Sequence, residues 1–346
     1  MPRRQVTNAD VARLAGVSRT TVSRVMNDGP GVKLSDDTRQ RVLEAAQKLG
    51  YYPMAAARSL VTGKTQRIGL VLGEGQHRLA ADAFFPVFLR GFSVSAHQHG
   101  YLVVIHLAKD VLDQEECIWL IRKQQVDGLI LSGPSLNSPL LSRLAEERFP
   151  LILHGRLTGS GFTCVDVDNS AGAHQAVSHL IGLGHRRIGF ISNAHFSFSG
   201  AQERFAGYTQ ALAEHDLVHD SELVKVAAFQ PEGGKAAMEQ MLRLPQRPTA
   251  VFAASDVIAF GAMSAIRAAG LRIPEDVAVV GFDDIFLSAH AHPPLTTVRV
   301  PAYELGQTAV ELLIPLIEGD KDVSSVMLET ELIIRDSCGA KATRCP

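Results

Sequence analysis

From Gln66 onward one short apolar run follows another, each trailed by a longer stretch with helical spacing, and this alternation narrows the possible folds more than any other feature. RIGLVLG, YLVVIHLA, VDGLILSG and PLILHG read as strands buried on both faces, with helices expected over 87–99, 112–125 and 139–148. The cycle then restarts. TCVDVD, RRIGFIS, LVKVAAF, AVFAAS and VAVVGFDD alternate with expected helices over 171–183, 202–215, 233–244 and 258–269, and a helix over 303–318 and a strand over 326–334 close the pattern. Two successive sets of βαβ units predict two doubly wound parallel-sheet lobes, whose ligand sites lie beyond the carboxyl ends of the strands.

Residues 1–65 follow another rule. Thr7 is placed to cap a short helix, with Asp10 three residues on, and Val11, Leu14 and Ala15 share one face. Gly16 breaks this helix, Ser18 caps the next, and Val22, Val25 and Met26 face back toward the first. Arg19, Thr20, Ser23 and Arg24 are left outside. Ser35 caps a third helix with Val42, Leu43, Ala46 and Leu49 expected on its core face and Gly50 at its end. A second helix with short polar and arginine side chains suits the DNA major groove, where arginine bonds guanine with two donors. Spacing alone leaves a DNA-reading pair and a helical hairpin with a solvated face equally open.

Charge is divided unevenly between these parts. Residues 1–65 hold 11 Lys and Arg against 5 Asp and Glu, whereas the remainder holds 23 against 31, so a basic head precedes an acidic body. Such asymmetry is expected where one part meets phosphate. The 346 residues exceed what one core usually carries. No apolar run is long enough to span a membrane, and MPRRQ lacks a signal peptide's apolar core, so no membrane contact and a cytoplasmic location are expected. Cys117, Cys164, Cys338 and Cys345 are scattered and read as reduced thiols.

DVARLAGVSRTTVSRVMN and YYPMAAARSLVTGKT, with the third helix between them, resemble the headpiece of the lactose repressor family (LacI/GalR), and the similarity continues to about Arg335. The resemblance implies a helix-turn-helix headpiece with a hinge helix (1–65) and a two-lobed effector and dimerisation domain of periplasmic-binding-protein type (66–346). It places the lobe crossovers near Asp168, Thr296 and Met327. It makes Arg19, Thr20 and Arg24 recognition residues and Leu60 a minor-groove wedge, and Thr7, Ser18, Thr21, Ser23 and Ala57 complete the expected DNA-binding set. MAAARSL is too short to hold a helix by itself, and the resemblance implies folding on DNA, although Met54 stands where the family usually has Asn.

Residues following the strand-like runs suit a small polar ligand. Asp283 follows one run, Ser255 and Asp256 another, and Arg204 opens ERFAGY; Phe84, Phe85 and Phe229 offer flat apolar faces. Asp256 equally suits a helix cap, and the phenylalanines ordinary core. Arg204 and Asp283 match effector-contacting positions of the family pattern, and Arg156 is a further cation nearby. Where many relatives have Asp after the fourth strand this chain has Gly155, flanked by His154 and Arg156, and TTVRV replaces TTVRQ. One carboxylate set against one guanidinium favours a neutral effector over an anion. Most of the family sense sugars, and LHGR resembles relatives answering to α-glucosides; a nucleobase is the alternative.

Other patterns carry less. GKT at 63–65 lacks the earlier glycine of a phosphate loop, since that position is Arg58. Gly73 and Gly75 lack a third glycine, His97 and His99 point to different faces of a helix, and His290 and His292 have no further ligands, so neither cofactor nor metal is expected. No base or nucleophile constellation suggests an enzyme. A transport solute-binding protein would have no use for the basic head. The tail SCGAKATRCP has no leucine heptads, so no tetramerising coiled coil is expected. The sequence therefore predicts a homodimeric transcription regulator, a repressor binding a palindromic operator under control of a small neutral effector.

Overall fold

The computed structural model describes residues 6–26, 34–52, 59, 63–73, 83–108, 114–133 and 139–340. Ala57 and Leu60 lie outside them. The chain divides into a unit ending at Gln66 and a unit starting at Arg67.

The first unit contains α1 (Asn8–Ala15), α2 (Arg19–Met26) and α3 (Asp36–Leu49). The Asp10 carboxylate accepts from the Thr7 N–H at 3.0 Å and the Thr7 hydroxyl at 2.7 Å, which fixes the start of α1. Gly16 ends α1 with φ +66°, a left-handed conformation that glycine adopts without cost. Ser18 accepts from the Thr21 N–H at 3.0 Å and opens α2, and Ser35 does the same for α3 through Thr38. Val11, Ala12, Ala15, Val22, Val25, Val42, Ala45 and Ala46 form the core. Leu14 and Leu43, expected inside, are exposed; Ala12 and Ala45 take the inner positions, where small side chains let the helices approach closely.

The second unit holds two six-stranded sheets. The first has the order β11 (Val326–Leu328), β5 (Cys164–Val167), β4 (Leu151–His154), β3 (Gly128–Ser132), β1 (Arg67–Gly73), β2 (Leu102–Ala108). The second runs β12 (Glu331–Ile333), β10 (Thr296–Arg299), β9 (Ala278–Asp283), β8 (Ala250–Ala253), β6 (Ile188–Ser192), β7 (Val224–Val226). All pairings are parallel except that of β10 with β12. Each sheet reverses its order about its first strand, and such switch points open ligand crevices at the strands' carboxyl ends.

Helices α4 (Phe84–Gln98), α5 (Gln114–Arg122), α6 (Pro139–Glu147) and α11 (Ala302–Glu318) belong with the first sheet, and α7 (Asn169–Gly182), α8 (Ser199–Glu214), α9 (Pro231–Leu242) and α10 (Asp256–Ala268) with the second. The helices at Phe84, Asn169, Ser199, Pro231 and Asp256 begin two or three residues ahead of the expected starts. The apolar stripe marks the first core contact, whereas the helix begins at its cap, one turn earlier.

Glycines let three helix pairs touch backbone to backbone. A Cβ on Gly91 would stand 2.0 Å from the Tyr303 carbonyl oxygen, one on Gly207 2.1 Å from that of Ser170, and one on Gly261 1.9 Å from that of Pro231. The chain passes between lobes at 168, at 300–301 and at 329–330. Thr296 lies inside the second sheet rather than at a crossing, and the strand expected over 326–334 is split, β11 joining one sheet and β12 the other.

Candidate effector cleft and DNA-reading helix

On α2 the side chains of Arg19, Thr20 and Arg24 are exposed, Thr21 and Ser23 are half-buried, and Val22 and Val25 are buried. Among the described residues no carboxylate forms an ion pair with Arg19 or Arg24. Thr7 and Ser18 serve as caps, their side chains engaged by Asp10 and Thr21.

Two adjoining hollows, of about 430 and 470 Å³ when the space open to solvent is included, lie between the lobes of the second unit. Strand ends from both lobes build them: Ser132 ends β3, His154 ends β4, Asp166 is in β5, and Asn193 and Asp283 stand at the ends of β6 and β9. Phe84, Phe85, Arg204, Phe229 and Asp283 line one hollow together, and Arg204 and Phe229 line both. Phe84 lies parallel to the His154 ring at 5.9 Å, and His154 stacks on Phe88 at 4.5 Å while Nδ1 meets the Ser132 hydroxyl at 2.9 Å. Asp283 and Phe229 hold φ +119° and +59°, and non-glycine residues in this region mark sites where the surrounding structure imposes the backbone.

Arg204 is clamped. Its Nε donates to Asn169 Oδ1 at 2.9 Å, one terminal nitrogen donates to the Ala254 carbonyl at 2.6 Å, and the guanidinium lies 4.0 Å from the centre of the Phe282 ring. A ligand therefore meets a cation whose plane is already set.

Two expected effector residues stand elsewhere. Ser255 caps α10, its hydroxyl accepting from the Ile258 N–H at 3.4 Å, and is absent from the lining of both hollows. Arg156 also lies outside the lining; its Nε donates to Glu203 at 2.8 Å and thereby ties the first lobe to α8 of the second. Asp256 is fully buried and accepts from the Thr297 hydroxyl at 2.5 Å, the Ser288 hydroxyl at 2.6 Å and the Ile285 N–H at 2.9 Å. Burial outweighs those bonds and pushes its carboxyl up to about 7.

Sequence reading missed Asp166, Asn169, Asn193 and Glu203. Asp166 accepts from the N–H groups of Val167 at 2.8 Å and Arg156 at 2.9 Å, and from Asn169 Nδ2 at 3.2 Å. Its carboxyl is pushed up to about 6, chiefly by burial. An acid inside an apolar strand is rare enough to have been a signal, and Asn193 directly follows a strand end. Asn169 Nδ2 also reaches Glu203 at 3.3 Å. Among the described residues no group of three or more His, Cys, Asp or Glu could hold a metal. Cys117, Cys164 and Cys338 are buried, and among the described residues no helix is long and apolar enough to cross a membrane.

Comparison with known proteins is consistent along the chain. Residues 7–54 match the bacterial regulatory proteins of the lacI family, and residues 177–338 a periplasmic binding protein-like domain. The chain is 38% identical over 339 residues to the HTH-type transcriptional regulator CelR of Thermobifida fusca, covering 97% of this chain and 99% of that one. It is 37% identical to the HTH-type transcriptional repressor CytR of Escherichia coli (strain K12), covering 96% of each. Among solved structures, a CelR–cellobiose complex matches with a TM-score of 0.74 and 35% identity, over 96% of this chain and all of that one. The lac repressor dimer bound to operator and an anti-inducer matches with a TM-score of 0.85 and 29% identity, over 97% of this chain and 99% of that one.

Proposed function

Because the chain belongs to the lacI family of bacterial regulatory proteins, we propose that it is a sugar-responsive repressor that binds a palindromic operator as a homodimer. It is a helix-turn-helix transcriptional regulator; the effector, the dimer and the operator symmetry are the proposal. The observation that carries the effector reading is the hollow where a clamped arginine, two aspartates and phenylalanine faces converge from both lobes. Sugar rings present apolar faces and a rim of donors and acceptors, and these groups match both. Cellobiose, the ligand named in the CelR complex, and α-glucosides such as maltose are the first candidates.

Dimerisation finds support in the second lobe. Phe286 and Leu287 are 77% and 48% exposed, and Leu287 borders a surface hollow shared with Phe260, Met263 and His290. Exposed apolar groups clustered in this way mark interaction surfaces, and a symmetric dimer suits paired half-sites.

Isothermal calorimetry with cellobiose, maltose, sucrose, trehalose, glucose phosphate and hypoxanthine tests the effector. Saccharide binding that weakens in Asp283→Ala and Arg204→Ala supports the proposal. Binding of the phosphate or the purine alone overturns it.

A further inference from the structure

We propose that Asp166 and Asn193, one from each lobe, are acceptors that determine effector specificity, selecting an uncharged polyol whose hydroxyls donate to both sides of the cleft. The inference rests on the saccharide reading above and names residues that reading does not use.

Asp166 is 6% exposed yet lines both hollows. Its two oxygens offer about four acceptor directions, and three protein donors occupy three of them. One remains for a ligand hydroxyl. Its place in the sheet is informative as well: β4 and β5 pair His154 with Val165, so Asp166 stands beside Gly155. Gly155 holds φ +120°, a backbone conformation that strains any side chain. The first lobe's acid in this lining therefore comes from β5, beside a position at the end of β4 that carries no side chain.

Asn193 answers from the second lobe. Its backbone oxygen accepts from the Phe229 N–H at 2.7 Å, but its side-chain Oδ1 is shielded from water and has no hydrogen-bond partner. Buried acceptors left unmade are unfavourable and rare, and this one belongs to a residue lining both hollows. A donor arriving with the ligand satisfies it.

The balance of charge disfavours an anion. Asp166 and Asp283 line the hollows against Arg204 and the ring of His154, and Arg204 is held by Asn169, the Ala254 carbonyl and the Phe282 face. A phosphate or uronate would face more acceptors than donors. Burial already makes the Asp166 carboxyl hold its proton up to about pH 6, so a hydroxyl-donating ligand favours the ionised form and binds less well in acid.

The test is calorimetry on the full chain with cellobiose and maltose, using Asp166→Asn and Asn193→Ala. Each variant is expected to bind the accepted sugar about tenfold more weakly, the loss of one ligand hydrogen bond; the ligand-free melting temperature holds in Asn193→Ala and falls in Asp166→Asn, whose amide sets an NH2 group against a protein donor. Monodeoxy analogues separate contact from support: the analogue lacking the hydroxyl that faces Asp166 binds wild type and Asp166→Asn alike. Wild-type affinity falls between pH ~7.5 and ~5.5; His154 lines the same hollows, so loss of that dependence in Asp166→Asn is what assigns it to Asp166. Should Asp166→Asn fail to fold, Asn193→Ala and its deoxy analogues decide. Saccharide binding by wild type with both variants within about twofold of it overturns the inference and leaves the saccharide reading standing. Binding of glucose phosphate in place of any neutral sugar overturns both.

Discussion

Removing the Arg156 guanidinium isolates what holds the two lobes together. The pair it makes with Glu203 crosses from the end of β4 to α8, with side chains 40% and 16% exposed. A fully exposed pair contributes about 0.2–1 kcal/mol and a hydrogen bond to a charged group about 1.5–3 kcal/mol. Partial exposure screens this pair toward the lower figure, so about 1 kcal/mol is assigned to it, or about fivefold in an equilibrium between lobe arrangements. Arg156→Ala keeps the backbone N–H that reaches Asp166, so the local frame survives. An effector touching both lobes binds the arrangement this pair favours, so its Kd is expected to rise by up to about fivefold in Arg156→Ala and in Glu203→Ala. The double variant should add little more, and the differences should shrink at high salt. Calorimetry on the four proteins gives the cycle directly. Unchanged or tighter effector binding in both single variants, or fully additive losses, would refute the latch.

Four further outcomes follow from the same structure and sequence. Burial raises the folded-state pKa of Asp256 to about 7, above its ordinary carboxylate value, so the native state keeps its proton longer than the unfolded chain. Its contribution is full below about pH 4 and is lost as pH rises through about 7, so the stability lost in Asp256→Asn shrinks over that interval in urea unfolding, and a growing loss would contradict the assignment. Gly261→Ala sets a methyl group against the Pro231 carbonyl and should cost at least about 2 kcal/mol by forcing α9 from α10; an unchanged urea midpoint would show the helices are not so tightly set. Arg19→Ala and Arg24→Ala should weaken operator binding by about 1–3 kcal/mol per lost base contact and random duplex far less, and equal losses on both DNAs would assign them to phosphate. Leu60→Ala, at the wedge position implied by the sequence, should reduce operator bending in a circular-permutation gel while effector affinity holds; an undiminished bend removes the wedge.

What could be read from the sequence was whatever depends on near neighbours in the chain. Parallel strands buried on both faces appear as unbroken apolar runs, and Thr7, Ser18 and Ser35 announce helix starts through bonds spanning three residues. The apolar rule failed at Leu14 and Leu43 because helical spacing leaves two adjacent faces open, and only the third dimension shows that Ala12 and Ala45 fit the tighter one. The cleft was half legible. Arg204 and Asp283 lie near element ends, where ligand chemistry is expected, but Arg156 looked free because its partner, Glu203, is 47 residues away. Ser255 looked like a ligand group because a helix cap and a strand-end contact have the same local signature.

The cleft and the lobe crossings share residues, which constrains how an effector can act. Asp166 and Val167 line it one or two residues before the first crossing, and Val300 lines it at the second. Asn169, immediately after the first crossing, bonds Asp166 on one side and Glu203 and Arg204 on the other. Any turn of one lobe against the other therefore changes the lining itself, so a ligand that contacts both lobes must have different affinities for the two arrangements. That difference is the whole of its leverage: a ligand bound equally well in both arrangements shifts neither, however tightly it binds. By reciprocity, operator binding that favours one arrangement must change effector affinity by the same factor. Measuring effector Kd with and without saturating operator gives that factor, and a ratio of one would place the control of DNA binding outside this cleft.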